Sequence, residues 1–226
     1  MKPIRVLLAD DHTVVLEGLR ALLAAQGDIA VVGEAQTGRQ AVRLAGELLP
    51  DVIVIDIAMP LLNGLEAARQ ILAAHSDAKL LILSAHCDDA YVEQALELGA
   101  AGYVTKQTSA LVLSRAIREV HQGRQFFSPS IARRLRTRQQ QSPQGASGER
   151  ARHSAKLTSR EVEVLQLIAE GKANKQTAAE LGISIKTVEK HRQRVMSKMD
   201  IHDTAGLTRY AIAAGIIESG PLVRLK

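Results

Sequence analysis

A run of apolar residues that ends in a carboxylate lies between Pro50 and Pro60. The four residues Val52 to Ile55 are all β-branched, as expected for a short strand that is buried on both faces. Asp56 follows directly, and an ionised carboxylate in a dry environment is unfavourable unless it meets a metal ion or a positive charge. Asp56 is therefore either a reactive or metal-binding group, or a capping or turn residue.

Residues 4–122 alternate short apolar runs with amphipathic segments. Nearly continuous apolar runs are typical of parallel strands covered by helices on both faces, so the pattern predicts a doubly wound α/β domain with a five-stranded parallel sheet. The predicted strands are Ile4 to Ala9, Ile29 to Ala35, Val52 to Asp56, Lys79 to Ser84 and Gly102 to Thr105. The predicted helices are Val14 to Gln26, Gly38 to Leu49, Gly64 to Ala74, Asp89 to Leu98 and Ser109 to Gln122.

Polar or charged side chains stand at the carboxyl ends of four predicted strands. Asp10 and Asp11 follow the first strand, Asp56 ends the third, Ser84 ends the fourth and Lys106 follows the fifth. Because ligands of open parallel sheets bind beyond the carboxyl ends of the strands, we expect these five side chains to converge at one edge. Three neighbouring carboxylates repel one another unless a cation shares them. Hard oxygen ligands of this kind predict a Mg²⁺ site.

The chemistry of these side chains indicates a phosphoryl-transfer site. Asp10 and Asp11 are predicted to hold the metal ion, and Asp56 to be both a ligand and a nucleophile toward a phosphoryl group. Lys106 is predicted to neutralise charge on the phosphoryl oxygens, and Ser84 to donate a hydrogen bond to one of them.

Simpler interpretations exist for the same residues. Asp11 or Thr13 can cap the first helix, and a single lysine such as Lys106 is usually a solvated surface charge. A second functional hypothesis is a Mg²⁺-dependent phosphotransferase or hydrolase. Such an enzyme needs an acid–base group beside its nucleophile, and Ile57 and Ala58, which follow the candidate nucleophile, supply none. The sequence therefore favours a protein that accepts a phosphoryl group over an enzyme.

Charge divides the chain into two halves. Residues 1–123 carry 10 Lys and Arg against 15 Asp and Glu, whereas residues 124–226 carry 19 against 9. The net charges of −5 and +10 predict a basic second half that binds a polyanion. Cys87 is the only cysteine, which excludes an intrachain disulfide and a thiolate metal cluster. With no signal peptide and no apolar run near the roughly 20 residues needed to cross a bilayer, we predict a soluble cytoplasmic protein with no membrane partner.

Composition also predicts the domain organisation. Residues 1–122 are predicted to form the α/β domain, and residues 123–136 to extend it by a short helix. Residues 137–155 are rich in Gln, Ser, Gly and Arg and hold too few apolar residues for a core, so we predict a flexible linker. Residues 156–220 are predicted to form a second, all-α domain of about four helices.

Helix start and stop signals in this second domain predict a helix-turn-helix. Thr158 and Glu161 have the spacing of a capping box, which opens the first helix. A short helix from Lys175 to Leu181 is followed by a tight turn and a third helix that begins at Ile185. In such a motif the second of the two joined helices enters the major groove of DNA. A final helix is predicted from Thr204 to Ile217.

The helix that begins at Ile185 has two opposite faces. At about 100° per residue, Val188, Arg192, Val195 and Met199 fall on one side and form a core-facing stripe. A polar, basic face lies opposite. The candidates for contacts to base edges are Lys186, Glu189, Lys190 and Gln193. The candidates for phosphate contacts are Thr187, His191, Arg192 and Arg194.

Four short stretches of the first domain match a known family. They are Val6-Leu-Leu-Ala-Asp-Asp-His12, Asp56-Ile-Ala-Met-Pro60 with Gly64, Ser84-Ala85, and Gly102-Tyr-Val-Thr-Lys106. With these stretches the domain resembles the receiver domain of two-component response regulators. The resemblance implies a flavodoxin-like sheet with strand order 2-1-3-4-5, and phosphorylation of Asp56 by a sensor histidine kinase.

The resemblance also implies a role for each residue of the site. Mg²⁺ would be bound through Asp11, Asp56 and the main-chain carbonyl of Ala58, with Asp10 acting mainly through water. The switch would consist of two residues, a hydroxyl that turns toward the phosphate and an aromatic ring that turns inward. These residues are Ser84 and Tyr103.

The second domain resembles the LuxR-type DNA-binding domain along nearly its whole length. The resemblance rests on Leu157-Thr-Ser-Arg-Glu-Val-Glu-Val-Leu165, Ala169-Glu-Gly-Lys-Ala-Asn-Lys175, Ala178-Ala-Glu-Leu181, Ile183-Ser-Ile-Lys-Thr-Val-Glu-Lys-His-Arg192 and Val195-Met-Ser-Lys-Met199. It implies backbone contacts to DNA near Asn174, Lys175, Lys186 and Thr187, and base or groove contacts around Glu189, Lys190 and Gln193. Thr177 stands where the family usually has an aliphatic residue, which predicts a cost of about 1 kcal/mol if its hydroxyl is unsatisfied.

The two domains together resemble the NarL/FixJ family of response regulators. The resemblance implies a transcription factor that binds double-stranded DNA at specific sequences and is switched by phosphorylation. It further implies a homodimer in the phosphorylated or DNA-bound state, with the final helix used for dimerisation. RNA polymerase is a further candidate partner.

Overall fold

Nearly continuous apolar strands and amphipathic helices alternate in the first part of the chain and form a parallel sheet. The computed structural model describes residues 2–85, 89–133 and 157–217. The strands of this part are β1 Ile4–Ala9, β2 Ile29–Ala35, β3 Val52–Ile55, β4 Leu80–Ser84, β5 Gly102–Thr105 and β6 Phe126–Phe127. The helices between them are α1 Thr13–Ala24, α2 Gly38–Leu48, α3 Gly64–Ala74, α4 Asp89–Glu97 and α5 Ala110–His121.

The strand order is β2-β1-β3-β4-β5-β6, and every neighbouring pair is parallel. This order confirms the doubly wound α/β sheet and the predicted order 2-1-3-4-5. The prediction of five strands is wrong, because β6 adds a sixth strand beside β5. Two residues are too few to produce a periodic pattern, which is why β6 has no recognisable signal in the sequence.

The segment predicted as a helical extension begins with strand β6 and continues as a helix. Helix α6 begins at residue 129 and is described as far as residue 133. The predicted linker, residues 137–155, lies outside the described residues, as does Cys87.

Alternate residues of each central strand face opposite sides of the sheet, and both sides are buried. Leu7 and Ile53 pack into one hydrophobic cluster, whereas Val6 and Val52 pack into another. Parallel strands need this arrangement because helices cover both faces. The continuous β-branched pattern of β3 therefore reflects burial on two sides, as predicted.

The start of α1 differs from the prediction. His12 occupies the N-cap position and makes no capping hydrogen bond through its side chain. Neither Asp11 nor Thr13 is the N-cap residue, so the capping interpretation of Asp11 is wrong. In contrast, Asn63 caps α3 by accepting a hydrogen bond from the amide of Glu66. The aspartates at the end of β1 are therefore available for another role.

The chain divides into two units, Met1–Gln141 and Ser142–Lys226. In the second unit the structure describes four helices, α7 Ser159–Ala169, α8 Asn174–Leu181, α9 Ile185–Met199 and α10 Thr204–Ala213. This number agrees with the predicted all-α domain of about four helices. None of the helices in the described part of the chain is long and apolar enough to cross a membrane.

Local signals in the sequence determine the ends of these helices. Thr158 and Glu161 form the predicted capping box at the start of α7. The turn between α8 and α9 contains Gly182 with φ +62°, a conformation that suits glycine, and Ser184 then caps α9. Helix α10 ends four residues earlier than predicted, and Gly215, with φ +68°, lies two residues beyond its end. A left-handed glycine at that position stops a helix whose apolar pattern continues.

Thr177 is fully buried in α8, and its Oγ1 has no hydrogen-bond partner among the residues that the structure describes. The predicted unsatisfied hydroxyl is thus present. We expect Thr177→Val, which replaces the hydroxyl with a methyl group of similar size, to stabilise the second unit by about 1 kcal/mol. Native-state hydrogen exchange of the α7 amides measures this change. Thr187→Val is the control, because the Thr187 hydroxyl lies 2.8 Å from that of Ser184, and an equal gain there would contradict the explanation.

Candidate functional site

Parallel pairing brings the ends of β1, β3, β4 and β5 together at one edge of the sheet. The amide of Asp56 donates to the carbonyl of Ala9 at 2.8 Å, which places the end of β3 beside the end of β1. The amide of Lys106 donates to the carbonyl of Ser84 at 2.8 Å, which places the end of β5 beside the end of β4. The convergence expected from the sequence is therefore produced by main-chain hydrogen bonds that are independent of the side chains.

Lys106 is the cation of this edge. Its Nζ lies 2.9 Å from Asp56 Oδ2 and 2.7 Å from Asp10 Oδ2. Both carboxylates are almost fully buried, with residue exposures of 2% for Asp56 and 1% for Asp10. Lys106 is thus a half-buried counter-charge to two buried carboxylates, and the simpler interpretation of it as a solvated surface lysine is wrong.

Asp56 is held at both of its carboxylate oxygens. Oδ1 accepts a hydrogen bond from the Ile57 amide at 2.9 Å, and Oδ2 accepts one from Lys106. The main chain that follows is tightly packed: a Cβ atom at Gly64 would lie 1.8 Å from the Asp56 carbonyl oxygen. The Gly64 amide also donates to the Ile57 carbonyl at 2.8 Å. Glycine at this position therefore lets the start of α3 support the candidate nucleophile.

His12 is a member of the site to which sequence reasoning assigned no role. Its Nδ1 lies 2.7 Å from Asp11 Oδ1 and 3.2 Å from Asp10 Oδ1. One ligand atom from each of Asp10, Asp11 and His12 lies within 4.8 Å of the others, close enough to share one metal ion. The only signal in the sequence for this role of His12 is its position directly after the two aspartates. That position does not show in which direction the ring points.

Burial and neighbouring charges shift the pKa values of Asp56 and Lys106. Burial raises the pKa of Asp56 to about 6, although Lys106 lowers it and Asp10 and Asp11 raise it further. Burial lowers the pKa of Lys106, but the charges of Asp56 and Asp10 outweigh this, so its pKa lies above the ordinary value. The lysine is therefore charged at neutral pH, and a cation at this edge would favour the ionised form of Asp56.

The residues present fit a Mg²⁺ ion. Lys106 contacts the carboxylates of Asp10 and Asp56, and the charge of Asp11 also acts on Asp56, so the site carries excess negative charge when all three are ionised. Hard carboxylate oxygens are the ligands that Mg²⁺ prefers. A divalent cation would offset the charge that Lys106 leaves uncompensated.

The two predicted switch residues lie on adjacent strands. Ser84 ends β4 and is fully buried, and Tyr103 on β5 has an exposure of only 1%. In the β4–β5 register, Ser84 is opposite Thr105, and Tyr103 is opposite Ile82. The tyrosine ring is thus in the inward position, in the core that lies beneath the acidic edge.

The raised pKa of Asp56 has a consequence for stability in the absence of divalent cations. The folded chain holds a proton on Asp56 up to about pH 6, whereas an aspartate ordinarily has a pKa of 3.8, so stability falls as the pH rises between these values. We expect the free energy of unfolding of Asp56→Asn to exceed that of the wild type by about 3 kcal/mol at pH 7.5 and by about 1 kcal/mol at pH 4.5. Hydrogen exchange of the β3 amides measures both. Asp77→Asn, at an exposed position, is the control; a difference that is independent of pH would contradict the raised pKa.

The predicted DNA-binding residues lie on α8 and α9 of the second unit. On α9 the predicted stripe faces inward, with exposures of 0% for Val188 and 1% for Val195. Six of the predicted DNA-binding side chains are exposed: Lys175, Lys186, Glu189, Lys190, Gln193 and Arg194. Three are half-buried: Asn174, Thr187 and His191.

Ion pairs and hydrogen bonds fix α9 to its neighbours. Lys198 donates to Glu161 Oε2 at 2.7 Å, which joins α9 to the capping box of α7. Burial raises the pKa of Glu161, but hydrogen bonds from Lys198 and Thr158 outweigh it, so this pKa lies below the ordinary value. Arg192 donates to Thr204 Oγ1 at 2.6 Å and to Asn174 Oδ1 at 3.5 Å. Arg192 therefore links three helices, a role that the sequence did not indicate.

Beside this framework, the polar face of α9 borders a basic cleft. Its volume is about 590 Å³, and the cations that line it are Lys190, Arg194 and Lys198. His191 is not a further cation here: burial and then Arg194 lower its pKa, so the ring is neutral at pH 7. The rigid placement of exposed Lys, Arg and Gln side chains on one helix matches the requirement for reading a DNA groove.

A lysine-paired acidic pocket at a sheet edge, in one chain with a helix-turn-helix unit, is the combination expected of a response regulator with a DNA-binding domain. Comparison with known families agrees for both parts. Residues 6–118 match the response regulator receiver domain, and residues 155–211 match the bacterial regulatory proteins of the luxR family. The chain belongs to the NarL/FixJ family of two-component response regulators.

Relatives of known name cover nearly the whole chain. The transcriptional regulatory protein LiaR of Bacillus subtilis is 43% identical over 208 residues, which are 92% of this chain and 96% of LiaR. The response regulator protein VraR of Staphylococcus aureus is 36% identical over 215 residues, 95% of this chain and 99% of VraR. A solved structure of the response regulator RcsB of Salmonella typhimurium is 26% identical with a TM-score of 0.61, and covers 95% of this chain and 99% of RcsB. The chain is therefore similar in both sequence and fold to transcriptional regulators of two-component systems.

Proposed function

We propose that this protein is a transcription factor whose DNA binding is switched by phosphorylation of Asp56. The observation that carries the proposal is the buried Asp56 carboxylate, held by Lys106 at 2.9 Å beside Asp10. A buried nucleophile with a fixed counter-charge suits phosphoryl transfer, in which positioning and charge compensation supply most of the catalysis. The partner that supplies the phosphoryl group is a sensor histidine kinase, and the protein acts in the cytoplasm.

In the proposed transfer, an oxygen of Asp56 attacks the phosphorus of a phosphohistidine on the kinase. The new O–P bond forms while the P–N bond breaks, and the imidazole leaves with the electron pair of that bond. Lys106, which contacts Asp56 Oδ2 at 2.9 Å, is positioned to neutralise the negative charge of the phosphoryl oxygens. Mg²⁺ would be held by Asp10, Asp11, Asp56 and the Ala58 carbonyl, and would neutralise phosphoryl oxygens when bound.

Ser84 and Tyr103 would couple this event to the rest of the receiver unit. Ser84 lies at the end of the strand next to β3, from where its hydroxyl can donate to a phosphoryl oxygen. Tyr103 is already buried, so phosphorylation would hold it inward instead of moving it in. The proposed switch is therefore a shift between populated states, biased by one new hydrogen bond.

The second unit would bind double-stranded DNA as a homodimer, with α9 in the major groove. Base contacts would come from Lys186, Glu189, Lys190 and Gln193, and backbone contacts from Asn174, Lys175, Thr187, His191 and Arg194. One solved structure shows two RcsB dimers bound to two parallel DNAs, which supports a dimeric arrangement in a similar protein. The dimer would use α10, and RNA polymerase would be the downstream partner.

A gel-shift titration with and without acetyl phosphate and Mg²⁺ tests the proposal. The DNA is a site selected from a random library by the full-length protein. We expect phosphorylation to tighten binding to this site by at least about tenfold, as a coupling of about 1.4 kcal/mol requires. Weak binding that is independent of sequence, whatever the state of Asp56, would overturn it.

A further inference from the structure

Ile185, the first residue of helix α9, is one of five large hydrophobic residues that are exposed in the described part of the chain. It retains 43% of its accessible surface, whereas Val188 and Val195 of the same helix retain 0% and 1%. The other aliphatic side chains of this helix are inward. At about 100° per residue, Ile185 lies about 60° from Val188 and about 40° from Glu189, at the border between the inward stripe and the exposed face.

The local structure at the start of α9 does not require an isoleucine. Ser184 is the N-cap, and its side chain accepts from the Thr187 amide at 3.1 Å. The positions that a hydrophobic staple uses, before the cap and at the fourth helical residue, are Ile183 and Val188. Ile185 at the first helical position has no part in this arrangement, and β-branched residues are weak helix formers. Neither the cap nor the hydrophobic staple therefore requires an aliphatic residue here.

The position of Ile185 corresponds to the part of a recognition helix that approaches bases. In helix-turn-helix proteins the N-terminal residues of the second helix contact base edges in the major groove. Glu189, one turn further on, is exposed on the same side of the helix, so Ile185 extends the candidate base-reading face toward the start of the helix. Within the major groove, the apolar group that an aliphatic side chain can contact is the 5-methyl group of thymine.

We propose that Ile185 reads a thymine in each half-site by contact with its 5-methyl group. The inference rests on the proposed DNA-binding function. It adds a specificity residue to the four base contacts proposed above. The contact removes apolar surface of both Ile185 and the methyl group from water on binding. It adds no charge and is therefore insensitive to salt, unlike the phosphate contacts.

The test replaces each thymine of the selected site, one at a time, with deoxyuridine, which lacks only the methyl group. For the full-length phosphorylated wild type, we expect one thymine per half-site whose replacement weakens binding about fourfold, the value for one buried methyl-sized group. For Ile185→Ala the same replacement should have no effect, and Ile185→Val should be intermediate. Leu111→Ala is the control, because Leu111 is an exposed aliphatic residue on α5 of the first unit, with an exposure of 73%, and should leave the methyl effect unchanged.

Three results would overturn the proposal, and they are distinct from failure of the proposed function. A selected site without a recurring thymine excludes it. A wild type that is indifferent to every deoxyuridine also excludes it, as does a methyl effect that persists in Ile185→Ala. If selection yields no specific DNA site, the proposed DNA-binding function itself is contradicted. Circular dichroism of Ile185→Ala, compared with the wild type, separates loss of contact from loss of fold.

Discussion

Asp56→Asn is expected to abolish uptake of a phosphoryl group while the receiver unit remains folded. The asparagine side chain occupies nearly the same volume, and its single oxygen can keep one of the two hydrogen bonds that hold Asp56 at present, from the Ile57 amide or from Lys106. It has no anionic oxygen to attack phosphorus, so no acyl phosphate can form. Incubation with radiolabelled acetyl phosphate and Mg²⁺, followed by measurement of acid-labile phosphate on the protein, gives the result directly.

Asp77→Asn and hydrogen exchange of β3 provide the controls. The exposed Asp77 lies away from the acidic edge in sequence, so its replacement should leave phosphoryl uptake unchanged. The β3 amides of Asp56→Asn should be at least as protected as in the wild type, because a buried charge has been removed. Acid-labile phosphate that persists in Asp56→Asn would show that another carboxylate is the acceptor.

The topology and the acidic edge could be predicted because both depend on patterns that extend over many residues. β-branched runs such as Val52 to Ile55 determined the buried strands, and the carboxyl ends of parallel strands meet wherever the sheet is formed. Asp10, Asp56 and Lys106 therefore came together as expected. Their convergence made the assignment of Asp56 much more specific than its own local sequence did.

Side-chain directions were the part that could not be predicted. The sequence placed His12 after two aspartates but did not show that its ring turns back onto Asp11, since that depends on the N-cap geometry of α1. Arg192 was assigned both to the inward stripe and to phosphate contacts, and its bonds to Thr204 and Asn174 are set by how three helices pack. Strand β6 was missed because two residues are too few to show the alternation of hydrophobic residues by which a strand is recognised.

The opposite charges of the two halves of the chain, residues 1–123 and 124–226, bear on how phosphorylation can control DNA binding. The basic half attracts DNA of any sequence, because each phosphate contact releases counterions. Control by phosphorylation therefore has to act on specific binding, through dimerisation or through access to α9. A switch at Asp56 that changed only the net charge of the acidic half would alter the rate of association more than the selectivity.

Lys190→Ala is expected to weaken binding to the selected site by about 5- to 150-fold, the range for loss of one good base contact. Lys190 is exposed on the face opposite the buried Val188 and Val195, so its removal leaves the core of the unit intact. Discrimination should be lost at one base pair of each half-site, while binding to random DNA falls much less. Titrations with the selected site and with each single-base variant measure both quantities. Arg209→Ala, at an exposed cation on α10, is the control and should leave base discrimination unchanged.

Arg194→Ala is expected to behave differently, and the contrast between the two variants tests the assignment of base and phosphate contacts. Loss of a phosphate contact weakens binding to all sequences alike and reduces the slope of log K against log salt concentration by about 1. Lys190→Ala should change the slope less and the base preference more. If both variants lowered affinity uniformly and shifted the slope equally, Lys190 would be a phosphate contact. The base-reading face of α9 would then be confined to the side that carries Lys186, Glu189 and Gln193.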